Sequence, residues 1–127
     1  MLKALVVDDD ETICIVARRH LTALGFEVMT ARNGLEAIRQ HDHSGFDLIL
    51  MDIQMPECDG FEATRRIRGD EIRLNRQHCK IIAMTASQDK DLALESGMDD
   101  FLLKPFLKAE LLKVLGKSFP NLIPQEA

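Results

Sequence analysis

The sequence predicts an α/β protein, a doubly wound five-stranded parallel sheet with helices on both faces, and three observations predict it. Short apolar runs recur along the chain, stretches of helical periodicity separate them, and each run ends abruptly in polar residues. Runs that are apolar throughout are strands buried on both sides, whereas a half-exposed antiparallel sheet would alternate apolar and polar residues. The chain has 127 residues, 46% of them hydrophobic, which suits a single core and a single domain.

The first run, Lys3 to Val7, leads straight into Asp8-Asp9-Asp10, as a buried strand entering a polar loop does. Next, Ile13, Val16, Ala17, His20, Leu21 and Leu24 repeat at the spacing of one helical face, and Gly25 supplies a left-handed stop. Asp10 is placed to cap this helix. Phe26 to Ala31 reads as the second strand, Asn33-Gly34 as a turn or cap, and Leu35 to Gln40 as a short second helix. The third strand, Phe46 to Met51, ends in Asp52. A loop from Met55 to Gly60 follows, with Asp59-Gly60 as turn and cap for a helix of about Phe61 to Arg68.

Gly69 to Cys79 is polar and arginine-rich, and reads as the longest structureless connection, adding a helical turn or a mobile loop. The fourth strand, Lys80 to Met84, ends in Thr85-Ala86-Ser87, and a helix from Asp89 to Ser96 closes at Gly97. Asp100 to Leu103 is the fifth strand, followed by Lys104-Pro105 and a last helix from Leu107 to Leu115. Residues 1–118 are expected to form the domain and 119–127 a short tail, with no output domain encoded.

Five β-α units joined by right-handed crossovers suit the flavodoxin-like strand order 2-1-3-4-5. Strands one and three then flank the topological switch point, and ligands of such sheets bind outside the carboxyl ends of the strands there.

The formal charge of -5 is the wrong sign for broad attraction to nucleic acid or anionic lipid. No apolar run exceeds five residues, which excludes a membrane helix, and the N-terminus lacks a secretory pattern, so a cytoplasmic location is expected. Cys14, Cys58 and Cys79 are odd in number and far apart, which indicates neither a disulfide framework nor a zinc site. His20 falls at the edge of the first helix's apolar stripe. His41 and His43 form H-x-H in what reads as a polar loop without ligands at matching spacing, so solvation is expected for both.

The chemistry gathers at the carboxyl ends of the strands: Asp8, Asp9 and Asp10 after the first, Asp52 after the third, Thr85 after the fourth and Lys104 after the fifth. Carboxylates from adjacent strand ends repel, so a cation is needed among them. An all-oxygen set without soft ligands suits Mg²⁺, with Mn²⁺ as the alternative. Lys104 adds a fixed positive charge, Thr85 a hydroxyl, and loop amides can face an anion. Asp52 stands alone at its strand end and is the candidate nucleophile toward phosphorus, whereas the Asp8-Asp9 pair suits metal holding.

Val6-Val7-Asp8-Asp9, Leu48 to Gly60 with Asp52 inside it, Met84-Thr85-Ala86, and Gly97 to Pro105 with its Lys104 together resemble the receiver domain of two-component response regulators, from about Leu2 to Gly116. The phrasing is closer to receivers of hybrid kinases and phosphorelays than to chemotaxis receivers. The resemblance implies phosphoryl transfer to Asp52 from a histidine kinase or a histidine phosphotransfer protein. It implies Mg²⁺ held by Asp9, Asp52 and the backbone carbonyl of Gln54, with Asp8 acting through a water. By the same resemblance Thr85, Ala86 and Lys104 receive the phosphoryl group, the Lys104-Pro105 bond is cis, and Gln54 and Ser87 tune dephosphorylation. Phe101 takes the place of the switch aromatic, without a hydroxyl, and the face of the fourth helix, fifth strand and fifth helix meets a downstream protein.

A multiple-turnover aspartate phosphatase would need an acid two residues after the nucleophile, where Gln54 stands, so the implied role is a signalling receiver rather than an enzyme. An FMN carrier would find its phosphate repelled by Asp8-Asp9-Asp10. The alternative is a pseudo-receiver, an interaction module that never takes phosphate.

Overall fold

The computed structural model describes residues 2–55, 58–86 and 90–120. Its elements are β1 (Lys3–Val7), α1 (Glu11–Ala23), β2 (Glu27–Ala31), α2 (Gly34–Ser44), β3 (Leu48–Asp52), α3 (Gly60–Arg73), β4 (Lys80–Thr85), α4 (Lys90–Glu95), β5 (Asp100–Leu103) and α5 (Lys108–Ser118). The five strands form one sheet in the order β2-β1-β3-β4-β5, with every pairing parallel, as the sequence predicts. The register sets Val7 beside Met51, Asp52 beside Met84, and Thr85 beside Leu103, so the carboxyl ends of the strands come out level.

The two-residue period of a strand divides the core into two layers. Leu5, Val7, Ile49, Met51, Ile81 and Ala83 face Ala37 of α2, Ala63 and Ile67 of α3 and Ala93 of α4. Ala4, Val6, Leu48, Leu50, Ile82 and Met84 face Cys14, Ala17 and Leu21 of α1 and Leu111 and Leu115 of α5. Asp10 caps α1, its side chain accepting from Thr12 N at 2.9 Å, and Asp59 caps α3 in the same way through Glu62 N. Gly25 and Gly97 follow α1 and α4 with φ of +98° and +109°, the left-handed conformation expected of both stops.

The structure corrects the sequence reading at two helices. The second runs on to Ser44, so His41 lies on α2 and is 1% exposed rather than solvated in a loop, while His43 is exposed. The stripe Ala37–His41 continues the helical spacing, but a histidine does not register as an apolar position. The third helix runs to Arg73, so half of the expected 69–79 connection is helical. Its buried stripe passes from Ala63 and Ile67 to Glu71, whose charge is met by Arg68 Nη1 at 2.9 Å and by the backbone N–H of Cys79 at 2.7 Å. Periodicity counts a glutamate as solvent-facing, so the pattern alone did not decide between an added helical turn and a mobile loop. In α1 the buried positions are Cys14, Ala17 and Leu21, while Val16 is exposed and His20 sits half-buried at the edge of the stripe. Among the described residues, no helix is long and apolar enough to cross a membrane.

Candidate functional site

Each buried strand delivers its last residues to the same edge of the sheet. Asp8, one residue beyond β1, is 1% exposed, and Asp52, the last residue of β3, is 4% exposed. Burying carboxylates is costly unless they are paired, and both are paired with Lys104, just beyond β5. Its Nζ lies 2.8 Å from Asp8 Oδ2 and donates to Asp52 Oδ1 at 3.0 Å. Asp8 Oδ1 accepts in addition from Asp10 N at 2.9 Å. Lys104 is held in turn by its backbone N–H, which donates to Thr85 O at 2.7 Å, and the following Lys104–Pro105 bond is cis.

Asp9 is exposed at the mouth, and the carboxylates of Asp8, Asp9 and Asp52 each offer an oxygen within 4.8 Å of the others. Thr85 and Ala86 form the opposite wall and Gln54 the rim of a cleft of about 180 Å³. Two depressions are larger, one of about 420 Å³ adjoining the cleft and one of about 300 Å³ around His41 and Arg76, so it is the chemistry and not the size that marks this cleft.

Gly60 lets the β3–α3 loop close under the site. A Cβ at this position would lie 2.3 Å from Asp52 O and 3.0 Å from Ile53 Cα, both backbone atoms that cannot move aside. Gly60 N donates to Ile53 O, and Ile53 N to Met84 O, fastening the loop to β4. Sequence reasoning missed this packing role, and also Cys14, whose thiol donates to Asp8 O at 3.4 Å. The Asp-Gly pair at the start of α3 was the available signal for the first; nothing in the sequence pattern marked the second.

Burial pushes the Asp52 carboxyl up to about 6, with the Asp8 carboxylate adding to the rise and the Lys104 hydrogen bond opposing it. Burial also works against the Lys104 charge, but Asp8 and Asp52 outweigh it and hold the ammonium above its ordinary range. Three carboxylates thus cluster where one ammonium pairs with two of them, and the surplus is negative. An all-oxygen donor set, one member open to solvent, fits a hard divalent ion that keeps part of its water shell, as Mg²⁺ does.

Phe101, on β5, is half-buried against the layer containing Ala83 and Ala93, and Lys90 Nζ stands 5.3 Å from its ring centroid. Ser87 lies outside the described residues.

This arrangement of acids, hydroxyl and lysine on a 2-1-3-4-5 sheet has known counterparts: the sequence profile of the response regulator receiver domain matches residues 4–116. The chain belongs to that family. The sensor protein GacS of Pseudomonas syringae pv. syringae is 37% identical over 118 residues, which cover 91% of this chain and 13% of that protein. The chain therefore spans a small part of this relative's length. The receiver domain of the sensor histidine kinase PA1611 from Pseudomonas aeruginosa PAO1, solved with a magnesium ion coordinated in its active-site cleft, superposes with a TM-score of 0.81. It is 37% identical over 91% of this chain and 95% of that one. The receiver domain of the Saccharomyces cerevisiae response regulator Ssk1, solved with the histidine phosphotransfer protein Ypd1, gives a TM-score of 0.85 at 31% identity, over 98% and 94% of the two chains. The receiver family of two-component and phosphorelay signalling is thus the setting for this cleft.

Proposed function

We propose that this receiver takes a phosphoryl group on Asp52 from a phosphohistidine of a histidine kinase or histidine phosphotransfer protein, with Mg²⁺ as cofactor. The observation that carries the reading is the convergence of Asp52 with Asp8, Asp9 and Lys104 in one cleft. An Asp52 carboxylate oxygen attacks phosphorus, a P–O bond forms as the P–N bond breaks, and the departing imidazole nitrogen keeps its electron pair and takes up a proton. The chain supplies positioning and charge, the main levers of phosphoryl transfer. Lys104, already bonded to Asp52, meets one phosphoryl oxygen, and the Thr85 hydroxyl and the Ala86 N–H receive others. Asp9, Asp52 and the Gln54 carbonyl would hold Mg²⁺, with Asp8 acting through a water. Bound there, the metal offsets charge on the transferring group.

With a carboxyl value of about 6, Asp52 is still largely ionised at neutral pH, as a nucleophile must be. A protein donor is supported by the apolar groove beside the cleft, which includes Ile13, Val16, Pro105 and Phe106 and shares Ala86 and Lys104 with the cleft itself. An output surface on α4, β5 and α5 is supported by Leu92, Leu94 and Leu103, large apolar side chains left exposed there.

Incubation with acetyl phosphate and Mg²⁺ tests the reading. One phosphoryl group should appear by mass spectrometry, and Asp52→Asn should abolish it. No uptake from acetyl phosphate or from any phosphorylated histidine partner would leave the pseudo-receiver reading in its place.

A further inference from the structure

We propose a second metal site at the opposite end of the sheet, where His41, Glu71 and Cys79 hold a Zn²⁺ ion. The last turn of α2 brings His41, the last turn of α3 brings Glu71, and Cys79 is the residue before β4. One ligand atom from each lies within 4.8 Å of the other two, and all three residues are buried. The six residues of β4 separate Cys79 from Thr85 by about 20 Å at 3.3 Å per residue, so the cluster shares nothing with the Asp52 cleft.

Two further observations point to a ligand. The His41 ring is 1% exposed, and its Nδ1 is buried without a hydrogen-bond partner among the described residues. Buried polar atoms without partners are costly and rare. His41 also forms part of the wall of a cavity of about 300 Å³, so solvent reaches the His41 corner of the cluster. A nitrogen, sulfur and carboxylate set with one open position is a zinc donor set, too soft for Mg²⁺.

Glu71 now accepts from Arg68 Nη1 and Cys79 N, and Arg68 Nη1 also stands 3.8 Å from Cys79 Sγ, so the ion must displace this guanidinium nitrogen from both ligands. Arg68 does not depend on Glu71 for its charge, because Nη2 lies 2.8 Å from Asp99 Oδ2 and Nε donates to Gly97 O. On binding, the Cys79 S–H bond breaks, its proton goes to solvent and a Zn–S bond forms. Thiolate and carboxylate together neutralise the ion. Donor atoms around tetrahedral Zn²⁺ stand roughly 3.5 Å apart, so the three side chains draw in by no more than about 1 Å.

The full chain, in excess Mg²⁺ to occupy the carboxylate cleft, is titrated with Zn²⁺ and with Co²⁺ as a spectroscopic probe. The expected result is one Zn²⁺ per chain by native mass spectrometry and a thiolate-to-cobalt charge-transfer band. The band should survive in the Cys14→Ala/Cys58→Ala double variant and vanish in Cys79→Ser. Zn²⁺ affinity should fall in Cys79→Ser by more than the 10- to 100-fold typical of losing a mere supporting partner. Should Cys79→Ser not fold, alkylation of the unsubstituted chain decides: Zn²⁺ must slow modification of Cys79, and a chelator must restore it. A missing charge-transfer band, a band that survives Cys79→Ser, Zn²⁺ uptake lost in Asp9→Asn, or a Cys79 alkylation rate indifferent to Zn²⁺ would each overturn the site.

Discussion

Replacing Asp52 by asparagine should stabilise the metal-free domain at neutral pH. Burial lifts the Asp52 carboxyl from about 3.8 to about 6, so the folded protein holds this proton more tightly than the unfolded chain does. Between those values the native state binds more protons, and stability falls as pH rises through the window. At about 1.36 kcal/mol for each tenfold of proton affinity, the ionised carboxylate costs about 3 kcal/mol once the pH exceeds 6. Asparagine keeps the shape and an oxygen for Lys104 and has no charge to desolvate, while Lys104 retains Asp8 at 2.8 Å. Urea denaturation in the presence of a chelator, from pH 4 to pH 8, should show Asp52→Asn more stable by about 3 kcal/mol above pH 6, with the gap closing toward pH 4. In a thermal melt of a domain of this size, that gap corresponds to roughly 10 °C. Saturating Mg²⁺ should narrow the gap from the wild-type side, because the ion offsets the charge that the variant lacks. A variant no more stable than wild type at pH 7, or an advantage that persists unchanged at pH 4, would refute the claim that an under-compensated charge resides on Asp52.

Mg²⁺ should raise the wild-type melting temperature, contributing about 2.7 kcal/mol at 100 times its dissociation constant, and Asp9→Asn should lose most of that rise; calorimetric scans of both proteins with and without the metal check this. Gly60→Ala forces a methyl group into the backbone at Asp52 and Ile53, and should cost about 1–3 kcal/mol by denaturation while slowing acetyl phosphate uptake. Substituting Gln54 with charged or bulky residues at the exposed rim should change the decay rate of the phosphorylated form without preventing its formation; equal decay across the series would remove Gln54 from the path of the attacking water. Because Phe101 is already half-buried and has no hydroxyl to desolvate, beryllofluoride should shift the resonances of residues 85 to 110 only modestly, and shifts confined to the Asp52 cleft would mean that β5 does not report the modification.

By itself the sequence determined the strands, their parallel order and the edge at which the chemistry gathers. These rest on local signals that tertiary packing had no reason to override: continuous apolar runs at Leu48–Met51 and Ile81–Met84, the caps Asp10 and Asp59, and the stops Gly25 and Gly97. The acids and the lysine were legible because each directly ends or follows a strand. Tertiary structure alone decided where polar residues turn inward. His41 and Glu71 belong to buried helical faces because elements distant in sequence, the last turns of α2 and α3 and Cys79 before β4, come together there, while Arg68, one turn back on α3, meets the Glu71 charge. It also decided the charge state of Asp52, since the cost of desolvation depends on how completely β1, β3 and β5 close around a carboxylate, and no spacing along the chain reports that enclosure.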